Sequence, residues 1–205
     1  MEEDRQGNQY PERWDKDWIE KRILKESERL GYAGMVNPSH PIPQALPYRL
    51  LDWGLKFTPL YDRGYLNYKD IQLKKMAHYI LGWQPGMTGF RILQISDLHI
   101  DLDPGLIDPL CELIKNVKCD IAVFTGDFWE GNHSDQTTAL ARIDRLLDSL
   151  PAPRYGCFGV LGNHDSVALG AFLDARGIRI LANEAVISET KKGPIALAGV
   201  DDAYY

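Results

Sequence analysis

From Phe90 onward, short β-branched and aliphatic runs alternate with stretches whose apolar positions recur at helical spacing. FRILQIS at 90–96, DIAVFTG at 120–126 and YGCFGVLG at 155–162 read as strands. Between them, Leu106, Leu110, Leu113 and Ile114 share one face of a helix at about 105–117. Leu140, Ile143, Leu146 and Leu147 do the same for a helix at about 136–150. A short helix at about 166–176 and strands near 178–181, 184–189 and 194–200 follow. Strands alternating with helices of this length predict an α/β sheet with parallel neighbours.

The first half of the chain is patterned differently. Residues 11–31 predict a helix opening with Pro11 and closing at Gly31, with Ile19, Ile23 and Leu30 on one face. Trp14 and Trp18 lie off that stripe. The expected role is packing on the main domain or a partner subunit; peripheral membrane contact through the two tryptophans is the alternative. Seven basic and nine acidic residues within 1–30 weigh against the membrane. Pro38, Pro41, Pro43 and Pro47 make a helix-hostile linker, with His40 as a loop residue. The aromatic stretch 48–68 is expected to pack on the domain. Ile71, Leu73 and Lys75 begin a period-two strand pattern, His78 near its end is structural, and QPGMTG at 84–89 reads as a turn. The expected division is an N-terminal helical extension and linker at 1–47, a lead-in segment at 48–89, and the α/β domain at 90–205.

Composition narrows the function classes. The 205 residues are 44% hydrophobic and 25% charged, with a net charge of −6. An acidic balance gives no footing for general nucleic-acid binding. No apolar run is long enough to span a bilayer, and the acidic N-terminus does not resemble a signal peptide. The expected setting is cytoplasmic, with contact at the inner membrane face as an option. Cys111, Cys119 and Cys157 have no CxxC spacing and read as reduced thiols, buried or half-buried.

Candidate chemistry sits where strands end. SDLH at 96–99, TGD at 125–127 and GNHD at 162–165 each follow a β run. In open α/β sheets ligands collect at the carboxyl ends of strands, so the three strings can converge. Asp97 and His99, two apart, can share one ion. Gly126 permits a sharp turn from which Asp127 projects, and a carboxylate can bridge two cations roughly 3.5–4 Å apart. Asn163 offers a neutral amide oxygen. Asp165 is placed to cap the next helix or to orient the His164 imidazole. GNHS at 131–134 repeats the letters of GNHD in a loop, where Asn132 and His133 are at most substrate contacts. Asp101 and Asp103 read as solvated loop carboxylates, and Asp201 and Asp202 as a turn.

In this order the strings resemble the calcineurin-like metallophosphoesterase family, whose signatures are Asp-x-His, Gly-Asp, Gly-Asn-His-Asp/Glu, a later lone histidine, and Gly-His-x-His. The resemblance covers about residues 90–205. The stretch from about Tyr48 through GFRILQISDLH is also similar to the lead-in of a bacterial subgroup that includes one type of UDP-2,3-diacylglucosamine hydrolase. The resemblance implies the N-terminal part of a four-layer αββα sandwich with a helical N-terminal extension. It implies two divalent metals (Mn, Fe or Zn): Asp97, His99 and Asp127 hold the first, and Asp127 bridges to a second on Asn163. His164, with Asp165 behind it, would stabilise the transition state or protonate the leaving oxygen as a metal-activated hydroxide attacks phosphorus. The implied activity is hydrolysis of a phosphodiester, pyrophosphate or phosphomonoester in a small-molecule or lipid-linked substrate. The alternative is a non-catalytic binding or scaffold protein with the same fold. The later histidines have no counterpart here, since the histidines are His40, His78, His99, His133 and His164. The expectation is therefore a fragment, with the remaining ligands beyond Tyr205 and little turnover by this chain alone.

Overall fold

The computed structural model describes residues 2–3, 9–34, 45–130 and 136–202. Four parallel strands form the central sheet: β3 (Ile92–Ile95), β4 (Ile121–Thr125), β5 (Cys157–Val160) and β6 (Ile178–Ile180), in that spatial order. The crossovers are α4 (Ile107–Ile114), entered through a 3₁₀ turn at Pro104–Leu106, then α5 (Gln136–Ser149) and α6 (Val167–Ala175). A second, two-stranded sheet follows, the antiparallel hairpin β7 (Glu184–Thr190) and β8 (Gly193–Gly199). Every element expected after Phe90 is present within a few residues of its expected bounds.

Register explains why the core is one-sided. Leu93 pairs with Ala122, Ala122 with Cys157 and Cys157 with Ile178, which sets one row of side chains on one face. Two residues along, Phe124 and Ile180 extend that face. These side chains share one buried cluster with Ile107, Leu110 and Ile114 of α4, Ile143 and Leu146 of α5, and Leu173 of α6. The other face is thinner: Ile92 is 60% exposed, and Gln94 and Arg179 are exposed too. The hairpin covers part of that side where Gly199 packs so closely that any side chain there would collide with Leu181 and Val160.

The N-terminal residues pack on the body. Glu2–Glu3 (β1) and Gln9–Tyr10 (β2) form a short antiparallel ladder. Helix α1 runs Lys16–Gly34, and the Asp15 carboxylate caps it by accepting the Trp18 N–H at 2.8 Å. The helix thus starts later than the Pro11 reading, because 11–15 form turns. Trp14 is buried against α6, donating its indole N–H to the Ile180 carbonyl, and Arg13 pairs with Asp174 and Glu184. Trp18 donates to Asp201 Oδ2 at 2.6 Å. Trp14 is thus buried and Trp18 half-buried against the body of the protein.

The lead-in departs from expectation. It forms α2 (Ala45–Lys56) and α3 (Pro59–Lys69), but from residue 50 to 83 no described side chain is buried. The aromatic stretch 48–68 does not pack into the domain, and residues 71–75 form no strand. A period-two pattern becomes a strand only when an edge pairs with it, and no strand among the described residues does so. His78 is exposed. The GNHS string at 131–134, with Asn132 and His133, and the linker residues Pro38, His40, Pro41 and Pro43 lie outside the described residues. Cys111, Cys119 and Cys157 are unbridged, and burial pushes the Cys157 thiol up to about 11.

Candidate metal centre

The turns that end β3 and β4 hold their residues in a conformation L-amino acids rarely adopt. Asp97 (φ 52°), His99 (φ 37°) and Asp127 (φ 54°) all lie in the left-handed region. Each such non-glycine residue costs about 1 kcal/mol or more, and such strain concentrates at functional sites. Backbone bonds impose it. Asp97 N–H donates to the Gly126 carbonyl at 3.1 Å, His99 N–H to that of Asp127 at 3.0 Å, and Ile100 N–H to that of Phe128 at 2.9 Å. The two loops are zipped together, and their side chains turn to a common point.

Two groups of donors result. One atom each of Asp97, His99 and Asp127 lie within 4.8 Å of one another, and so do atoms of His99, Glu130 and His164. The histidine rings meet edge to face with centroids 5.1 Å apart. His99 Nδ1 is buried and makes no hydrogen bond; it is 3.1 Å from Glu130 Oε2 but out of alignment. A buried ring nitrogen without a hydrogen bond, beside a carboxylate, suits a cation. The donors are oxygen and imidazole nitrogen without thiolate, a set that fits manganese, iron or zinc.

The GNHD turn after β5 closes the site through two glycines. At Gly126 (φ 86°) a Cβ would collide with the Gly162 backbone, and at Gly162 one would collide with the Asp127 carboxylate. Only two bare backbones allow the approach. His164 N–H donates to Asp127 Oδ1 at 3.0 Å. Asn163, half-buried, lies between Gly162 and His164 in the same turn.

Asp165 has a different place from that expected. It is 1% exposed, and its oxygens accept from Asp127 N–H (2.7 Å), Phe128 N–H (2.9 Å) and Gly162 N–H (2.9 Å). It does not cap α6, whose N-cap is Ser166. Burial pushes its carboxyl up to about 6 against the opposing pull of those N–H donors. The group facing His164 Nδ1 is Glu130, by its carbonyl (3.2 Å) and its carboxylate (3.4 Å). Glu130 is the residue the sequence reading missed, because it follows no motif and lies in an irregular loop. Asp101 is no idle loop carboxylate either, since it accepts the Glu130 N–H at 2.8 Å.

Behind the turn lies Arg22 of α1, 1% exposed. Its Nη2 donates to the carbonyls of Gly162 (2.7 Å) and Asp165 (3.0 Å), and its Nη1 pairs with Asp201. Asp201 is thus an anchor for α1 rather than a plain turn residue.

A family model described as calcineurin-like phosphoesterase matches residues 90–199. The uncharacterised metallophosphoesterase YkoQ of Bacillus subtilis is 31% identical over 157 residues, 72% of this chain and 56% of YkoQ. The UDP-2,3-diacylglucosamine pyrophosphatase LpxG of Chlamydia trachomatis is 38% identical over 94 residues, 45% of this chain and 25% of LpxG. The phosphodiesterase YaeI of Escherichia coli is 25% identical over 148 residues, 69% of this chain and 54% of YaeI. The chain thus spans between about a quarter and about half the length of these relatives.

Proposed function

The chain belongs to the calcineurin-like phosphoesterase family, and from that premise we propose that it carries half of a dinuclear centre for phosphoester hydrolysis. One observation bears most weight: Asp97, His99 and Asp127 are strained towards a single point where their donor atoms lie within 4.8 Å. Asp97, His99 and Asp127 would hold the first cation, and Asp127 and Asn163 would hold the second. Two divalent cations supply Lewis acidity, which polarises the phosphoryl group and makes water a competent nucleophile near neutral pH.

The remaining work falls to the chain itself. His164 Nδ1 faces the Glu130 carbonyl, which can only accept, so Nδ1 carries the proton there. Nε2 is then the ring atom that exchanges a proton with the leaving oxygen. Asp165 acts at one remove, fixing the amides of Asp127 and Gly162 and so the spacing of the two turns.

For the substrate we propose a pyrophosphate joining a nucleotide to a lipid-linked sugar, a reading favoured by the likeness to LpxG. The test is Asp127→Ala in the intact protein, assayed with manganese on a chromogenic phosphodiester and on a nucleotide-linked diacyl sugar. Turnover should fall at least about a hundredfold on both, beyond the usual cost of disturbing a ligand's supporting residues. Near-normal turnover would sink the metal assignment. Turnover of the phosphodiester alone would sink only the choice of substrate.

A further inference from the structure

The lead-in helices present a surface problem. Residues 45–83 carry eight of the chain's 21 aromatic residues, yet the side chains described there are exposed or at most half-buried. Leu50 and Trp53 of α2 and Phe57 in the turn just past its end are 60%, 64% and 73% exposed. Leu60 and Leu66 of α3 are exposed as well, at 63% and 68%. Scattered exposed apolar residues need no explanation, but five large apolar side chains exposed along α2, α3 and the turn between them call for a partner.

Charge identifies the occupant. Within 45–83 there are six basic and three acidic residues, a net of +3, which leaves −9 on the rest of the chain. Lys56 and Lys69 lie over the rings of Tyr61 and Tyr65 at 5.6 and 4.4 Å, placing cations at the margin of the aromatic surface. Two copies meeting through this face would bring like charges together, as a two-fold contact pairs the same patch with itself. Tyrosine and tryptophan, apolar in body and polar at the tip, suit the boundary between headgroup and acyl chain. The helices of 12 and 11 residues are about 18 and 16 Å long, far short of a hydrocarbon core of about 30 Å. Among the described residues no helix is long and apolar enough to cross a membrane.

We propose that α2 and α3 lie in the plane of an anionic lipid surface and dock the protein on it. At the C-terminal end of α3, Lys69 packs beside Gly105 and Asp103 in the loop that follows His99. Docking therefore holds the loop after His99 near the lipid surface.

The test needs no turnover, so its outcome is separate from that of the phosphoesterase reading. The 205-residue chain is sedimented with phosphatidylcholine vesicles, with and without phosphatidylglycerol, at low and high salt. The expected result is at least about tenfold tighter binding to the anionic vesicles, weakened by salt. Trp53→Glu with Phe57→Glu should weaken it about tenfold or more, given what two buried aromatic side chains contribute. Both side chains are exposed, so circular dichroism should be unchanged. Absence of sedimentation, or equal binding by the double variant, overturns the proposal. A concentration-dependent dimer that the same double variant abolishes would also overturn it, in favour of a second copy.

Discussion

Three aspartates end three neighbouring strands, yet the turns after β3 and β4 use theirs differently from the turn after β5. Asp97 is exposed and Asp127 half-buried, both in left-handed backbone, with oxygens turned to a shared point. Asp165 is buried, and its two oxygens take three backbone N–H groups. Position at a strand end therefore does not define a role; what the oxygens already accept does. Asp165 is saturated by amides, whereas Asp127 accepts the single N–H of His164 and keeps an oxygen near Asp97 and His99.

Exchanging carboxylate for amide at each position should separate the two roles most sharply. Asp127→Asn in the intact protein is expected to cut turnover by about a thousandfold, more than outer-shell changes cost. Metal-free stability should hold or rise slightly, because one charge is removed from a cluster of like charges. Turnover with denaturant unfolding decides it: a large stability loss with intact turnover would invert the comparison.

The scaffold side can be broken from behind. Arg22→Met leaves Asp201 without its guanidinium and the Gly162 and Asp165 carbonyls without their donor. Removing one member of a buried pair costs about 3–4 kcal/mol, so urea unfolding of the 205-residue chain should show a loss of that size. A loss below about 1 kcal/mol would mean that α1 does not brace the GNHD turn. Asp165→Asn should cost somewhat less, about 2–3 kcal/mol, since one amide oxygen can still accept while the NH₂ opposes a backbone donor. An unchanged midpoint would return Asp165 to the chemical side.

Much of this frame was legible in the sequence, and the reasons differ by region. The β runs and three-to-four spacings after Phe90 are short-range signals, and the sheet obeys them. The turns that gather Asp97, His99 and Asp127 are legible because glycine and aspartate at strand ends signal a turn. Between 45 and 83 the same apolar content misled, because composition reports what could be buried and not against what. Arg22 was unreadable for another reason: a buried guanidinium is defined by carbonyls about 140 residues away. Glu130 carries no local signal at all.

Glu130 stands between the two kinds of carboxylate. Its carboxylate lies 3.1 Å from His99 Nδ1 and 3.4 Å from His164 Nδ1, so it sits between a proposed ligand and the proposed proton donor. Glu130→Gln keeps the backbone carbonyl that faces His164 and removes only the charge. If Glu130 orients and polarises the imidazole, kcat should fall about tenfold with KM and bound metal unchanged, the low end for a supporting residue. Elemental analysis of the purified variant, run beside the kinetics, separates the roles. Retained metal with reduced kcat places Glu130 with Asp165 as a holder of the site. Lost metal would move it across the divide, to join Asp97 and Asp127 as a carboxylate that the cations themselves require.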